Sequence, residues 1–101
     1  MSTAIVELAR ASQLRFALGA MVGETPILAT AGAHFAALHR DHLYVQGFSH
    51  RLLHRRRFVS GEPAIRRGGK LEIDGIREGL GLQVNEQSLD ALTINRAVFW
   101  L

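Results

Sequence analysis

The stretch Ile65-Arg66-Arg67-Gly68-Gly69-Lys70-Leu71-Glu72-Ile73-Asp74-Gly75 decides how the rest of the chain is read. Glycine reaches left-handed backbone conformations without a Cβ penalty, so Gly68-Gly69 reads as a turn. From Lys70 to Asp74 polar and apolar residues alternate strictly, and Gly75 closes the run. A period of two predicts a β-strand with Leu71 and Ile73 turned inward and Lys70, Glu72 and Asp74 turned out. Full burial would make either apolar residue worth about 2–5 kcal/mol against alanine.

Towards the C-terminal side, Leu80, Leu82 and Val84 carry the alternation onto a further strand. The polar residues 85–90 fit a hairpin loop or one short helical turn. Leu92, Ile94 and Val98-Phe99-Trp100-Leu101 then supply a last strand. The closing apolar quartet is poorly suited to water and is expected to pack on its own β body or into a neighbouring copy.

Towards the N-terminal side, Arg51-Leu52-Leu53-His54-Arg55-Arg56-Arg57-Phe58-Val59-Ser60 has no clean apolar face at either period. It reads as an edge strand or an extended arm, within a basic loop around residues 47–62. Leu43-Tyr44-Val45 precedes it as a strand closed by Gly47. Ile27-Leu28-Ala29-Thr30 is β-like, Ala31-Gly32 reads as a turn, and residues 34–39 suit a strand or a helical turn, with a hairpin strand preferred.

The first residues follow another rule. Ile5, Leu8, Ala9, Ser12 and Phe16 recur at spacings of three and four, which places them on one helical face. Ser2 or Thr3 can cap that helix and Gly19 can stop it. The expectation is one domain over residues 1–101, with an N-terminal helix over 1–19 and a β-rich body over 24–101. Its class is mainly β with an N-terminal α-helix (α+β), the body a small β-barrel or sandwich.

A chain of 101 residues has room for one core, and 48% apolar with 21% charged residues is a globular composition. The absence of cysteine excludes disulfides, thiolate metal sites and thiol nucleophiles. No basic leader and no run of roughly 18 apolar residues is present, so the reading is a cytoplasmic product with no membrane partner. The net charge of +3 is unevenly spread. Residues 39–70 form a basic band and residues 71–101 an acidic one, a polarity that suits phosphates or another copy of the chain.

Enzyme chemistry finds little footing. His34, His39, His42, His50 and His54 cluster, and two pairs have spacings that zinc sites use. His39-Arg40-Asp41-His42 nevertheless lacks the glutamate that a zincin helix needs, and histidines among arginines on exposed strands read as solvated groups. Gly68-Gly69-Lys70 is followed by leucine and not by serine or threonine, so it is no phosphate loop. No nucleophile elbow occurs. The expectation is a protein that binds rather than catalyses, with no catalytic residue, metal or cofactor.

Arg51, Arg55, Arg56 and Arg57 have the composition of a nucleic-acid or partner patch, and Arg66, Arg67 and Lys70 extend it. Tyr44, Phe48 and Phe58 could stack on bases, which leaves a small basic nucleic-acid-binding β domain as one functional reading. A second comes from Phe58-Val59-Ser60-Gly61-Glu62 followed by the opening stretch, together with the N-terminal helix and the later strands. The chain in this respect resembles the small head–tail joining proteins of tailed bacteriophages and prophages, of the lambda-like kind. It departs from their pattern in having Gly69 where they usually carry aspartate, and Ile76-Arg77-Glu78 where they usually carry an aromatic. The resemblance implies a structural protein of the virion neck, made in the host cytoplasm. It would form a homo-oligomeric ring between portal or adaptor and tail proteins, help to retain DNA, and touch that DNA through channel-facing arginines.

Overall fold

Why residues 26–38 fold as a helix explains most of the architecture. Thr25 is extended and its side chain accepts from the Leu28 N–H, while Pro26 occupies the first turn, where its missing N–H costs nothing. Ala29, Ala31, Ala33, Ala36 and Ala37 have the highest helix propensity, and together they outweigh the roughly 1 kcal/mol that Gly32 costs. At the far end the His39 N–H reaches back to the carbonyls of Phe35 and Ala36. The strand and turn expected over residues 27–39 are therefore one helix.

The computed structural model describes residues 2–21, 23–47, 58–73 and 78–100. Helix α1 spans Ser2–Ala11, strand β1 Phe16–Leu18, helix α2 Pro26–Leu38 and strand β2 Leu43–Gln46. Strands β3 (Val59–Ser60), β4 (Ala64–Ile65), β5 (Leu71–Glu72) and β6 (Gln83–Val84) follow, then helix α3 (Glu86–Asp90). The class is mixed α+β. Helices hold more of the described residues than strands do, and those strands form three separate two-stranded sheets, so the expected closed barrel or sandwich is not what they build.

Helix α1 stops well before Gly19. Gln13 sits at φ +56°, the Leu14 N–H bonds the Ala9 carbonyl at 2.8 Å and the Gln13 N–H bonds that of Arg10 at 3.0 Å. That is a Schellman cap with a glutamine in the left-handed position that glycine usually fills. Residues 16–18, expected as the last helical turn, are strand β1 instead. Gln13→Gly is expected to raise stability by about 0.5–1 kcal/mol, because the left-handed penalty removed exceeds the entropy glycine adds to the unfolded chain. Chemical denaturation checks it, and a loss of stability would contradict the cap.

Strands β1 and β2 pair in parallel, Phe16 opposite Leu43 and Ala17 opposite Val45, with a register irregularity between Phe16 and Ala17. Parallel neighbours need a crossover, and α2 supplies it. The remaining strands nest. Outer strands β3 and β6 pair antiparallel (Val59 opposite Val84), and the inner hairpin β4–β5 pairs Ala64 with Glu72 and Ile65 with Leu71. Its turn places Gly68 at φ +82° and Gly69 at +75°, as the two glycines suggest. After β6, Asn85 donates its backbone N–H to the Phe58 carbonyl at 2.7 Å and caps α3, its side chain accepting from the Ser88 N–H at 2.8 Å. The helical alternative for residues 85–90 is thus the one adopted.

Among the described residues the buried apolar side chains include Val6 from α1, Ala29, Ala33 and Ala36 from α2, and Phe58 and Val59 at β3. Thr30 is buried beside them with its hydroxyl donating to the Pro26 carbonyl at 2.7 Å. These are mostly small side chains, and the core is correspondingly thin. Leu71 and Ile73 are half-buried, not fully buried, so truncating either should cost less than the 2–5 kcal/mol of a full core position. The radius of gyration is 15.3 Å, where about 13 Å is usual for a compact chain of this length. No described helix is long and apolar enough to cross a membrane.

Candidate interaction surface

The expected basic patch divides in two. Arg51, Arg55, Arg56 and Arg57 lie outside the described residues. Arg66, Arg67 and Lys70 all stand exposed on the turn between β4 and β5. Arg66 is ion-paired with Glu72 on the facing strand, so the basic and acidic bands partly neutralise each other within one hairpin. Arg67 and Lys70 make no ion pair with a described residue. In the acidic band Arg96 pairs with Asp90, and Arg40 stands 3.9 Å from Asp41 where both side chains are open to water. Such exposed pairs contribute little to stability.

The aromatic residues offer less to a nucleic acid than their composition suggests. Phe58, a candidate for base stacking, is only 4% exposed and belongs to the core. Tyr44 is exposed, but the Arg15 guanidinium lies 5.9 Å from its ring centroid, and the same side chain reaches the Leu43 carbonyl at 3.5 Å. Phe48 lies outside the described residues. The sequence carries no sign of the Arg15–Tyr44 pairing, which depends on the parallel register of β1 and β2.

Histidines 34 and 39 are on or at the end of α2 and are not solvated strand residues. His39 is 6% exposed, meets the Phe35 ring edge-on at 4.5 Å and the Phe16 ring at 6.5 Å, and stands 3.3 Å from Arg10 Nη2 through Nδ1. A guanidinium only donates, so this contact uses Nδ1 as acceptor and fixes α1 to the end of α2. His34 Nε2 donates to the Leu80 carbonyl at 3.2 Å, tying α2 to the segment before β6. Among the described residues no three histidine, aspartate or glutamate side chains converge as a metal site would need. His50 and His54 lie outside them.

Two apolar features stand out in place of the basic patch. The first is the segment after α3. It forms no strand, contrary to expectation, and all residues of 91–100 are exposed, with Val98, Phe99 and Trp100 at 66%, 85% and 92%. The Thr93 hydroxyl on the Leu89 carbonyl at 2.8 Å and the Arg96–Asp90 pair hold its beginning. The second is a cavity of about 400 Å³ between the end of β1, the first turns of α2 and the end of β2. Leu18, Met21, Leu28, Gly32 and Gln46 contribute to its wall, and so does Glu24. The Glu24 Oε2 atom is buried and has no hydrogen-bond partner among the described residues. The sequence does not reveal this cavity, because it exists only once residues 26–38 are helical.

No family model matches the chain, and no curated protein or solved structure matches it either. The surface is defined by its own chemistry: open apolar side chains, one buried unpartnered carboxylate oxygen, and a basic hairpin tip.

Proposed function

We propose that the chain is a non-catalytic assembly protein, a subunit of a phage head–tail connector that completes its apolar packing against neighbouring subunits. The observation that carries this reading is the exposed apolar segment Val98-Phe99-Trp100 in a chain whose core is built largely of small side chains. An exposed apolar run of that size marks an interaction site. Its likeness in sequence to head–tail joining proteins names the assembly, and the Arg67–Lys70 hairpin tip supplies the cations that would face packaged DNA. Virion location, ring formation and contacts with portal and tail proteins belong to this proposal.

The competing reading, a basic nucleic-acid-binding β domain, is disfavoured by the burial of Phe58 and the internal pairing of Arg66. Titration with duplex and single-stranded DNA separates the two. The monomer should bind weakly at physiological salt, since one hairpin tip neutralises few phosphates, while electron microscopy of concentrated protein should show annular oligomers. Tight binding by the monomer, with a log–log salt slope that falls by about two to three when Arg66, Arg67 and Lys70 become alanine, would replace the connector by the nucleic-acid domain.

A further inference from the structure

We propose that Trp100 of one copy seats in the cavity between β1, α2 and β2 of the next copy and donates its indole N–H to Glu24 Oε2. The cavity asks for an occupant of a particular kind. Its wall is mostly aliphatic and glycine, which suits an apolar body, yet it contains one buried acceptor with no donor among the described residues. A buried carboxylate oxygen left without a hydrogen bond is costly, so the occupant should bring a single donor at the edge of an apolar group. Tryptophan has that make-up: a large apolar ring system, one N–H and no acceptor.

The chain carries one tryptophan, and it is 92% exposed. Phe99 beside it has no donor, and the Arg96 guanidinium is already paired with Asp90. Beyond Arg96 the segment 97–100 makes no described hydrogen bond and can extend roughly 13 Å from that anchor. Trp100 is not part of the cavity wall, so one copy can offer the ring and the cavity to two different neighbours in a head-to-tail contact. Repeated from copy to copy it closes into a ring when the rotation allows. This deepens the assembly reading and rests on it, by naming the contact between subunits.

The single tryptophan makes the contact directly readable. As the full chain is concentrated through its association range, Trp100 fluorescence should shift to shorter wavelength in step with the sedimentation coefficient. Trp100→Ala removes the tail anchor. Glu24→Ala removes the acceptor, and Gly32→Leu fills the cavity, because a Cβ at Gly32 would point at Leu18 Cδ2 (3.7 Å) and Gln46 Nε2 (3.8 Å). Each variant alone should self-associate about ten- to a hundredfold more weakly.

Mixing Trp100→Ala, whose cavity is intact, with Glu24→Ala, whose Trp100 is intact, restores one complete contact and should give a blue-shifted heterodimer that neither variant forms alone. Mixing Trp100→Ala with wild type should instead cap growing chains, turning rings into short oligomers with blue-shifted emission. Circular dichroism identifies any variant that fails to fold, and Glu24→Ala keeps the test open if Gly32→Leu does so. A blue-shifted monomer at every concentration would place the ring in its own chain and overturn the proposal. So would wild-type self-association in Trp100→Ala and Glu24→Ala. In that last case annular oligomers would still form, and the connector reading would stand without this contact.

Discussion

Phe58→Ala is expected to cost about 3–5 kcal/mol of folding stability, the range for removing a buried aromatic side chain. Phe58 is 4% exposed and is the largest of the buried apolar side chains among the described residues. The other buried apolar residues of that set are valines and alanines, so no second large side chain of the set offers to fill the volume its ring would vacate. Its carbonyl also receives the Asn85 N–H, so a shift of residue 58 would disturb the junction of β6 and α3. A domain of this size is stabilised by only about 5–15 kcal/mol, and a thin core belongs at the lower end. Much of the variant population should therefore unfold at body temperature. Urea denaturation measures the loss; a change below about 1 kcal/mol would remove Phe58 from the core. Phe58→Leu, which keeps much of the volume, should recover more than half of the effect.

Gly61→Ala should be nearly as damaging, by about 2–4 kcal/mol, for a different reason. Gly61 has φ +84°, and a Cβ there would stand 2.6 Å from the Gly81 carbonyl oxygen. Alanine must pay the left-handed penalty and also push two backbone segments apart just where β3 joins β6. Gly68 supplies the control. Its φ is +82°, yet a Cβ would meet nothing within 4 Å. Gly68→Ala should therefore cost only the backbone part, about 1–2 kcal/mol. The difference between the two midpoints isolates the steric contribution, and equal effects would refute the close approach at Gly81.

What the sequence made legible was local. The glycine pair at 68–69 dictates its turn, the alternation around Leu71 survives as β5, and Asn85 with the polar residues after it forms a short helix. Residues 26–38 mislead because Ile27 and Thr30 are β-branched and Gly32 resembles a turn, whereas the deciding signals are the Thr25 cap and Pro26. Gln13 ends α1 by adopting a conformation that no periodicity announces. Strand partners were not legible at all: the parallel pairing of β1 with β2, and with it the Arg15–Tyr44 contact and the cavity at Glu24, depends on a crossover the sequence conceals. Of the basic candidate site, Arg66, Arg67 and Lys70 do gather at one hairpin tip, while the exposed apolar segment, expected to pack as a strand, is the stronger surface feature.

The nesting of β4–β5 inside β3–β6 also sets an order of events. Val59 and Val84 must find each other across a long intervening loop, and closing a loop costs entropy that grows with its length. The inner hairpin has only a short turn to close and can form on the microsecond scale. Once it has formed, it withdraws its own residues from the loop and brings the outer strands within reach. The hairpin is thus expected to form ahead of the outer pair, although its tip is among the most exposed parts of the folded surface. In stopped-flow experiments Gly68→Ala should slow refolding and leave unfolding nearly unchanged, whereas a variant that only unfolds faster would reverse that order.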